Sequence, residues 1–226
     1  MSLRALVAGR APLPVHWLTC LAAALLGALC TLGFAPFAVS PAPTFSLAAL
    51  CLLWHRASNA KRAALFGFAW GCGFFLSGVS WVYVSLHEFG GMAMPLAALA
   101  TLLFCLYLAL FPALAGALFV RWRHAATPAA GLFASLWTLA EWLRGTLFTG
   151  FPWLAVGYSQ TPPSPLAGWV PVLGVYGVNF IVALLAGLLA RLCVSGWRRP
   201  LPWLAILVLL GGGALLQRMP WTTPVG

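Results

Sequence analysis

The chain has 226 residues, of which 63% are hydrophobic and only 6% charged, and its mean hydropathy is +0.99. Because about a quarter of the residues in a soluble domain are charged, this composition excludes a soluble globular protein and favours one whose solvent is lipid. The net charge of +10 comes from 12 basic and 2 acidic residues. The basic residues fall in short clusters between apolar runs, which indicates membrane topology, so we expect no nucleic-acid partner.

Apolar runs recur along the whole chain, and a transmembrane helix needs about 20 such residues. The sequence therefore predicts an all-α integral membrane protein, a bundle of about seven transmembrane helices within residues 1–216. The predicted spans lie near residues 16–34, 44–54, 63–86, 95–120, 128–148, 168–190 and 201–216. The predicted connections carry proline and glycine, namely Pro36, Pro41 and Pro43, then Gly90, Gly91 and Pro95, then Pro162, Pro163 and Pro165.

The basic residues give the orientation of the bundle. With seven spans and a cytoplasmic N-terminus, all basic residues except Arg144 and Arg218 fall on the cytoplasmic side, as the positive-inside rule requires. The members of this set are Arg4, Arg10, Arg56, Lys61, Arg62, Arg121, Arg123, Arg191, Arg198 and Arg199. Residues 217–226 then begin a linker on the far side. The first apolar run is longer than the core of a usual signal peptide, so we expect it to stay as an uncleaved span.

The six cysteines predict neither a metal site nor a disulfide framework. They form no C-x-x-C pair and lie mostly within apolar runs, where cysteine behaves as a small hydrophobic residue. We therefore expect no metal and no cofactor.

Glu88 and Glu141 are the only acidic residues in the chain. Glu141 and Arg144 are three residues apart in the fifth predicted span, so they share a helix face and could pair. Carboxylates at membrane depth usually face the bundle interior or a polar cavity. Two interpretations stay open, a site for a polar lipid head group and an ion pair that only orients the helix.

Residues 150–160 combine glycine, proline and aromatic residues, which disfavours a continuous helix. The segment is too apolar for an ordinary loop, so we expect it to lie at the interface or to dip back into the membrane. In the third predicted span, Gly67 and Gly71 form a G-x-x-x-G pattern that predicts close helix contact. Trp81 and Tyr83 follow near its outer end.

Six fragments, taken in order, resemble the bacterial apolipoprotein N-acyltransferase family. They extend over essentially the whole chain and comprise residues 33–37 (GFAPF), 81–85 with 89–92 (WVYVS with FGGM), 141–145 (EWLRG), 149–153 (TGFPW), 157–160 (GYSQ) and 174–180 (GVYGVNF).

The resemblance implies a multi-pass acyltransferase of the bacterial inner membrane that acts in lipoprotein maturation. Its partners would be a phospholipid acyl donor, the diacylglyceryl apolipoprotein that accepts the acyl chain, and membrane lipids. In this family a nitrilase-like periplasmic domain with a Glu-Lys-Cys triad follows the seventh span. The chain ends at Gly226, its only lysine is Lys61, and no cysteine matches the family nucleophile. We therefore expect no catalytic residue and no acyl transfer in this chain alone, with the nitrilase-like domain supplied in cis or in trans.

The resemblance also implies a lipid-binding groove in the membrane domain. The residues that we expect to line or shape it are Trp81, Tyr83, Glu141, Arg144, Phe151, Pro152, Trp153 and Tyr158, together with His87 and Glu88 from a less uniform part of the motif. Two alternatives stay open. One is a non-catalytic membrane scaffold or lipid-binding partner of a separate hydrolase. The other is a small transporter, against which the chain shows no internal repeat.

Overall fold

The computed structural model describes residues 17–124, 129–161 and 164–221. These residues are helical and contain no strand, which confirms the all-α prediction. The long helices are α1 (Trp17–Cys30), α2 (Pro41–Arg56), α3 (Ala60–Gly78), α4 (Met94–Trp122), α5 (Ala129–Thr146), α6 (Val170–Ser195) and α7 (Pro200–Leu216). The predictions for Arg4, Arg10, Pro162, Pro163 and residues 222–226 fall outside the described residues.

Local sequence explains where several helices begin. Asn59 caps α3, since its side chain accepts a hydrogen bond from the amide of Arg62, which satisfies a donor that has no partner within the helix. Pro41 and Pro43 were predicted to lie in a connection, and this is wrong. Both belong to the first turn of α2, where proline is tolerated because the first amides of a helix have no intrahelical acceptor.

The third predicted span, residues 63–86, is not one continuous helix. Helix α3 ends at Gly78, a short helix Trp81–Val84 follows, and a π-helical turn covers Ser85–Phe89. The two parts meet at an angle of 49°. This bend turns the residues after Gly78 away from the axis of α3.

Among the described helices, Met94–Trp122 and Pro165–Ser195 are long and apolar enough to cross a membrane. The bent pair of Ala60–Gly78 and Trp81–Phe89 also meets that test if it forms one span, whereas Trp17–Gly33 and Pro200–Leu216 are apolar but shorter. The crossing of the membrane by all seven segments, and the side on which each terminus lies, therefore stay predictions.

Helix α3 packs between α1 and α4, while α6 packs against α2 and α5. Glycine permits the close contacts of α3. A Cβ atom on Gly67 would overlap the carbonyl group of Pro112, and one on Gly71 would overlap Ala109, both of which belong to α4. This confirms the close helix contact that the G-x-x-x-G pattern predicts.

Large aromatic side chains fill the centre of the bundle. Trp70 packs edge-on against Trp137 with ring centroids 5.2 Å apart, and its indole N–H donates to Ser46 Oγ over 2.9 Å. Trp54 packs against Phe133 at 5.3 Å. With these rings as its core, the bundle holds its helix ends in fixed relative positions.

Candidate functional site: a clamped loop and an aromatic patch

The two ends of the bundle differ in chemistry. At one end, the guanidinium of Arg123 donates to the carbonyls of Trp54, His55 and Ala57, over 2.7–3.0 Å. These bonds place the end of α4 beside the turn between α2 and α3. Arg56 and Lys61 flank the same turn, so we name this the basic end. The opposite end carries the loop between α5 and α6.

The first part of that loop, residues 147–160, is the central feature of the candidate site, and we name it the clamped loop. It contains two short 3-10 turns, Leu147–Thr149 and Val156–Gln160, rather than a helix. Three non-glycine residues in it, Phe148, Thr149 and Leu154, have φ between 49° and 73°. Each such residue costs on the order of 1–2 kcal/mol, so interactions from outside the loop have to stabilise its conformation.

Arg144, in the last turn of α5, supplies the first of these interactions. Its Nη1 donates to the carbonyl oxygens of Phe151, over 2.7 Å, and Trp153. The amide of Phe151 in turn donates to the carbonyl of Arg144 over 2.8 Å. Arg144 is 3% exposed, and its guanidinium carbon lies 5.3 Å from the ring centroid of Phe75, a cation–π geometry.

Glu141 and Asn179 complete the clamp. One carboxylate oxygen of Glu141 accepts from the amide of Val156 over 3.2 Å. The side-chain oxygen of Asn179, which is fully buried in α6, accepts from the amide of Gly157. Side chains from two helices therefore bind backbone groups of the loop on both sides of Leu154.

Glu141 and Arg144 could form an ion pair, which was one of the two interpretations left open, but the structure does not show that pair. Both side chains do lie on the buried face of α5, but their charged atoms are not within 4.0 Å of each other. The physical reason is that each group already binds the loop. A small cavity of about 10 Å³ lies beside them and beside Trp137, with room for about one water molecule.

Six aromatic side chains surround the clamped loop, and we name them the aromatic patch. They come from the short helix after α3, from α4 and from the loop itself, and they are Trp81, Phe104, Tyr107, Phe148, Phe151 and Trp153. Their ring centroids lie 5.4 Å apart for Trp81 and Trp153, 4.9 Å for Phe104 and Phe151, and 6.3 Å for Tyr107 and Phe148. Trp153 is 53% and Phe148 82% exposed, so the patch presents aromatic surface outward.

The structure divides the predicted groove residues into three groups. Trp81 contacts Trp153, and Phe151 contacts Phe104, so these three predicted residues belong to the aromatic patch. The exposed Pro152 stands between Phe151 and Trp153 in the sequence. Glu141 and Arg144 are buried beneath the loop and bind its backbone. Their surroundings support a structural role rather than direct contact with a head group.

The remaining predicted residues lie outside these ring contacts. Tyr83 packs against His87 at 5.6 Å, and His87 lies 3.9 Å from Glu88 in the one ion pair found among residues 17–124, 129–161 and 164–221. The side chain of Glu88 is 64% exposed. Tyr158 is half-exposed and makes no ring contact with the patch in the described part of the chain.

Sequence reasoning missed Asn179, Phe104, Tyr107 and Phe148. A signal was available for Asn179, because it is a lone amide in the otherwise apolar helix α6. Phe104 and Tyr107 give no comparable signal, since aromatic residues are common throughout α4 and its neighbours.

The apolar outer faces and the helices long and apolar enough to cross a membrane are features of α-helical membrane proteins. Comparison with known proteins gives the family. Residues 26–188 match the model of the apolipoprotein N-acyltransferase N-terminal domain, and the chain therefore belongs to this family.

Curated relatives named apolipoprotein N-acyltransferase extend the match. The protein of Nitrosomonas europaea is 50% identical over 210 residues, which cover 91% of this chain and 41% of the relative. That of Ralstonia nicotianae is 47% identical, over 90% of this chain and 39% of the relative. That of Vibrio cholerae is 42% identical, over 90% of this chain and 40% of the relative. The chain thus spans about two fifths of the length of these relatives.

Proposed function

We propose that these 226 residues form the membrane-embedded, lipid-handling part of an apolipoprotein N-acyltransferase of the bacterial inner membrane. The whole reaction transfers an acyl chain from a phospholipid to the N-terminal diacylglyceryl-cysteine of an apolipoprotein. Family membership supports the reaction. The aromatic patch supports the lipid-handling role of this part, and it is the observation on which the proposal depends.

The patch suits acyl chains because it offers a wide apolar surface at the end of the bundle. The bend after Gly78 brings Trp81 to the loop residue Trp153, so two different elements contribute to one surface. Tryptophan and tyrosine favour the boundary between hydrocarbon and water. We infer that acyl chains lie along these rings while the reacting head groups stay in the water layer.

The orientation follows from the charges. If the basic end faces the cytoplasm, as the positive-inside rule requires, the patch and the clamped loop face the periplasm. A nitrilase-like domain, in cis or in trans, would then meet the bound lipids at that end.

We infer that the described residues carry out no acyl transfer by themselves. A Glu-Lys-Cys triad needs its three groups in one site. Lys61 lies in the first turn of α3 and Glu88 beyond its other end, which separates them by about 25 Å at 1.5 Å per residue. This separation supports the proposal that the catalytic chemistry of the family is supplied by another domain.

The test is binding of a fluorescent diacylglyceryl lipopeptide to the chain in nanodiscs. We expect the unsubstituted chain to bind it, and Trp153→Ala to weaken binding by about ten-fold, because a central aromatic anchor contributes on the order of 1–2 kcal/mol. Trp142→Ala is the matched control, since Trp142 is similarly exposed, at 47%, but lies on α5 outside the patch.

Two results would contradict the proposal. One is equal binding by the three proteins, and the other is turnover of phospholipid and lipopeptide by this chain alone. If the chain instead captured a nitrilase-like hydrolase but bound no lipopeptide, the scaffold alternative would replace it.

A further inference from the structure

An apolar cavity away from the site described above shares no lining residue with the aromatic patch. It is a groove of about 300 Å³ between α2, α6, α7 and the segment that precedes α6. This is twice the roughly 150 Å³ of an engineered apolar cavity that binds benzene. Its walls are mainly hydrophobic, formed by Phe45, Leu166, Leu185, Leu189, Ile206 and Leu210.

One end of the groove is polar and well ordered. Ser164 Oγ donates to the side-chain oxygen of Gln160 over 2.8 Å. The amide nitrogen of Gln160 donates to the carbonyl of Ser40 over 2.9 Å and to Ser159 Oγ over 2.8 Å. Gln160 and Ser164 are 2% and 6% exposed. Their hydrogen bonds fix a polar rim on a groove whose other walls are mainly hydrophobic.

The surroundings of the groove identify its occupant. Its floor is α6, within the segment Pro165–Ser195 that is long and apolar enough to cross a membrane. Beside it, Leu204, Leu207 and Val208 of α7 are 58–65% exposed, so this face of the bundle meets bilayer hydrocarbon. An apolar groove with a polar rim matches an acyl chain joined to an ester and a head group.

We propose that the groove between α2, α6 and α7 binds one acyl chain of a bilayer phospholipid, with the ester region at the rim of Gln160 and Ser164. This site does not depend on the proposed acyl transfer, because it shares no side chain with the aromatic patch. The bound lipid fills the space between α7 and the rest of the bundle.

The experiment uses the whole chain in nanodiscs of phosphatidylethanolamine and phosphatidylglycerol, with a diazirine in an acyl chain of the phosphatidylethanolamine. After illumination, mass spectrometry locates the crosslinked residues. In the unsubstituted chain we expect crosslinks at Leu185 and Leu189. Leu185 is 5% exposed, so lipids that only surround the bundle do not reach it.

Leu210→Trp and Leu207→Trp form a matched pair on one helix. Leu210 lines the groove, whereas Leu207 lies on the exposed face. Because a larger side chain fills the space, we expect Leu210→Trp to lower the yield at Leu185 by at least about five-fold, and Leu207→Trp to change it by less than about two-fold.

Three results would overturn the site. The first is crosslinks confined to the exposed leucines of α7, and the second is an equal crosslink yield at Leu185 in the two variants. The third is protection of Leu185 from crosslinking in a chain that runs as a dimer, because a second copy would then occupy the groove. The pattern in the unsubstituted chain decides the question even if Leu210→Trp does not fold. We expect Trp153→Ala to leave these crosslinks unchanged. Failure of this test would therefore not imply failure of the test of the aromatic patch.

Discussion

Arg123 and Arg144 perform similar chemistry at opposite ends of the bundle. Each guanidinium donates to backbone carbonyls, three for Arg123 and two for Arg144. Arg123 is half-buried and binds the end of α2, whose shape the helix already fixes. Arg144 is buried and binds a loop with three non-glycine residues in the left-handed region.

Water can take over the hydrogen bonds that Arg123 makes, but it cannot take over those of Arg144. Carbonyls at a helix end near the surface can bind water. The carbonyls of Phe151 and Trp153 lie against a buried guanidinium, and they belong to the two loop residues that carry rings of the aromatic patch. We therefore expect Arg123 to affect stability alone and Arg144 to affect both stability and lipid binding.

Arg144→Met gives the largest expected effect. The substitution removes the buried donor that binds the carbonyls of Phe151 and Trp153, and each carbonyl left without a partner costs about 1–3 kcal/mol. Thermal unfolding in detergent measures the loss, and lipopeptide binding should fall with it. Arg121→Met is the control because Arg121 is exposed near the end of α4; equal midpoints for the two variants would contradict the clamp.

Asn179→Leu should have the next largest effect. It removes the acceptor of the Gly157 amide within a fully buried site, at a cost of about 1–3 kcal/mol. Hydrogen exchange should also become faster at Gly157. Thr101→Val is a suitable control, since Thr101 is buried but donates only to a carbonyl of its own helix. Unchanged exchange at Gly157 would show that Asn179 does not hold the loop.

Arg123→Met should lower the free energy of unfolding by less, about 1–2 kcal/mol, because it removes a cation from the C-terminal end of α2, where water can bind the carbonyls instead. Thermal unfolding in detergent measures this loss of stability. Lipopeptide binding should stay within about two-fold of the unsubstituted chain, and a larger fall would break the proposed division between the two ends.

The smallest expected effect is the coupling between Trp81 and Trp153. Their rings are 5.4 Å apart, and such pairs contribute about 0.5–1.5 kcal/mol beyond burial. A double-mutant cycle with Trp81→Ala and Trp153→Ala, read by unfolding, isolates this value. Strict additivity would mean that the short helix and the loop do not form one surface.

The sequence predicts the helices better than it predicts what connects them. Apolar runs are sufficient to place α4 and α6, because a helix satisfies its own backbone groups within lipid. The bend after Gly78 and the position of Pro41 inside α2 depend on local backbone geometry, which hydropathy does not encode. Both boundaries were therefore misplaced.

For the candidate site, too, the sequence predicts what helix periodicity controls and misses what the loop conformation controls. Helical spacing correctly puts Glu141 and Arg144 on one buried face, but it cannot show that each binds a loop 7–15 residues further along the chain. Those bonds depend on the left-handed backbone conformation of Phe148 and Leu154, which no periodic pattern in the sequence predicts. The roles of Trp81 and Trp153 in lipid binding stay predictions that the structure makes testable.

The most direct test replaces Trp153 with a photoreactive phenylalanine analogue in the whole chain, in nanodiscs that contain a diacylglyceryl lipopeptide, with the same replacement at Trp142 as the reference. If the patch binds the lipids, position 153 crosslinks to the acyl chains of the lipopeptide and excess unlabelled lipopeptide suppresses the crosslink, while position 142 gives only unsuppressed labelling by bulk lipid. Equal, unsuppressed labelling at both positions would contradict a lipid-binding role for the clamped loop.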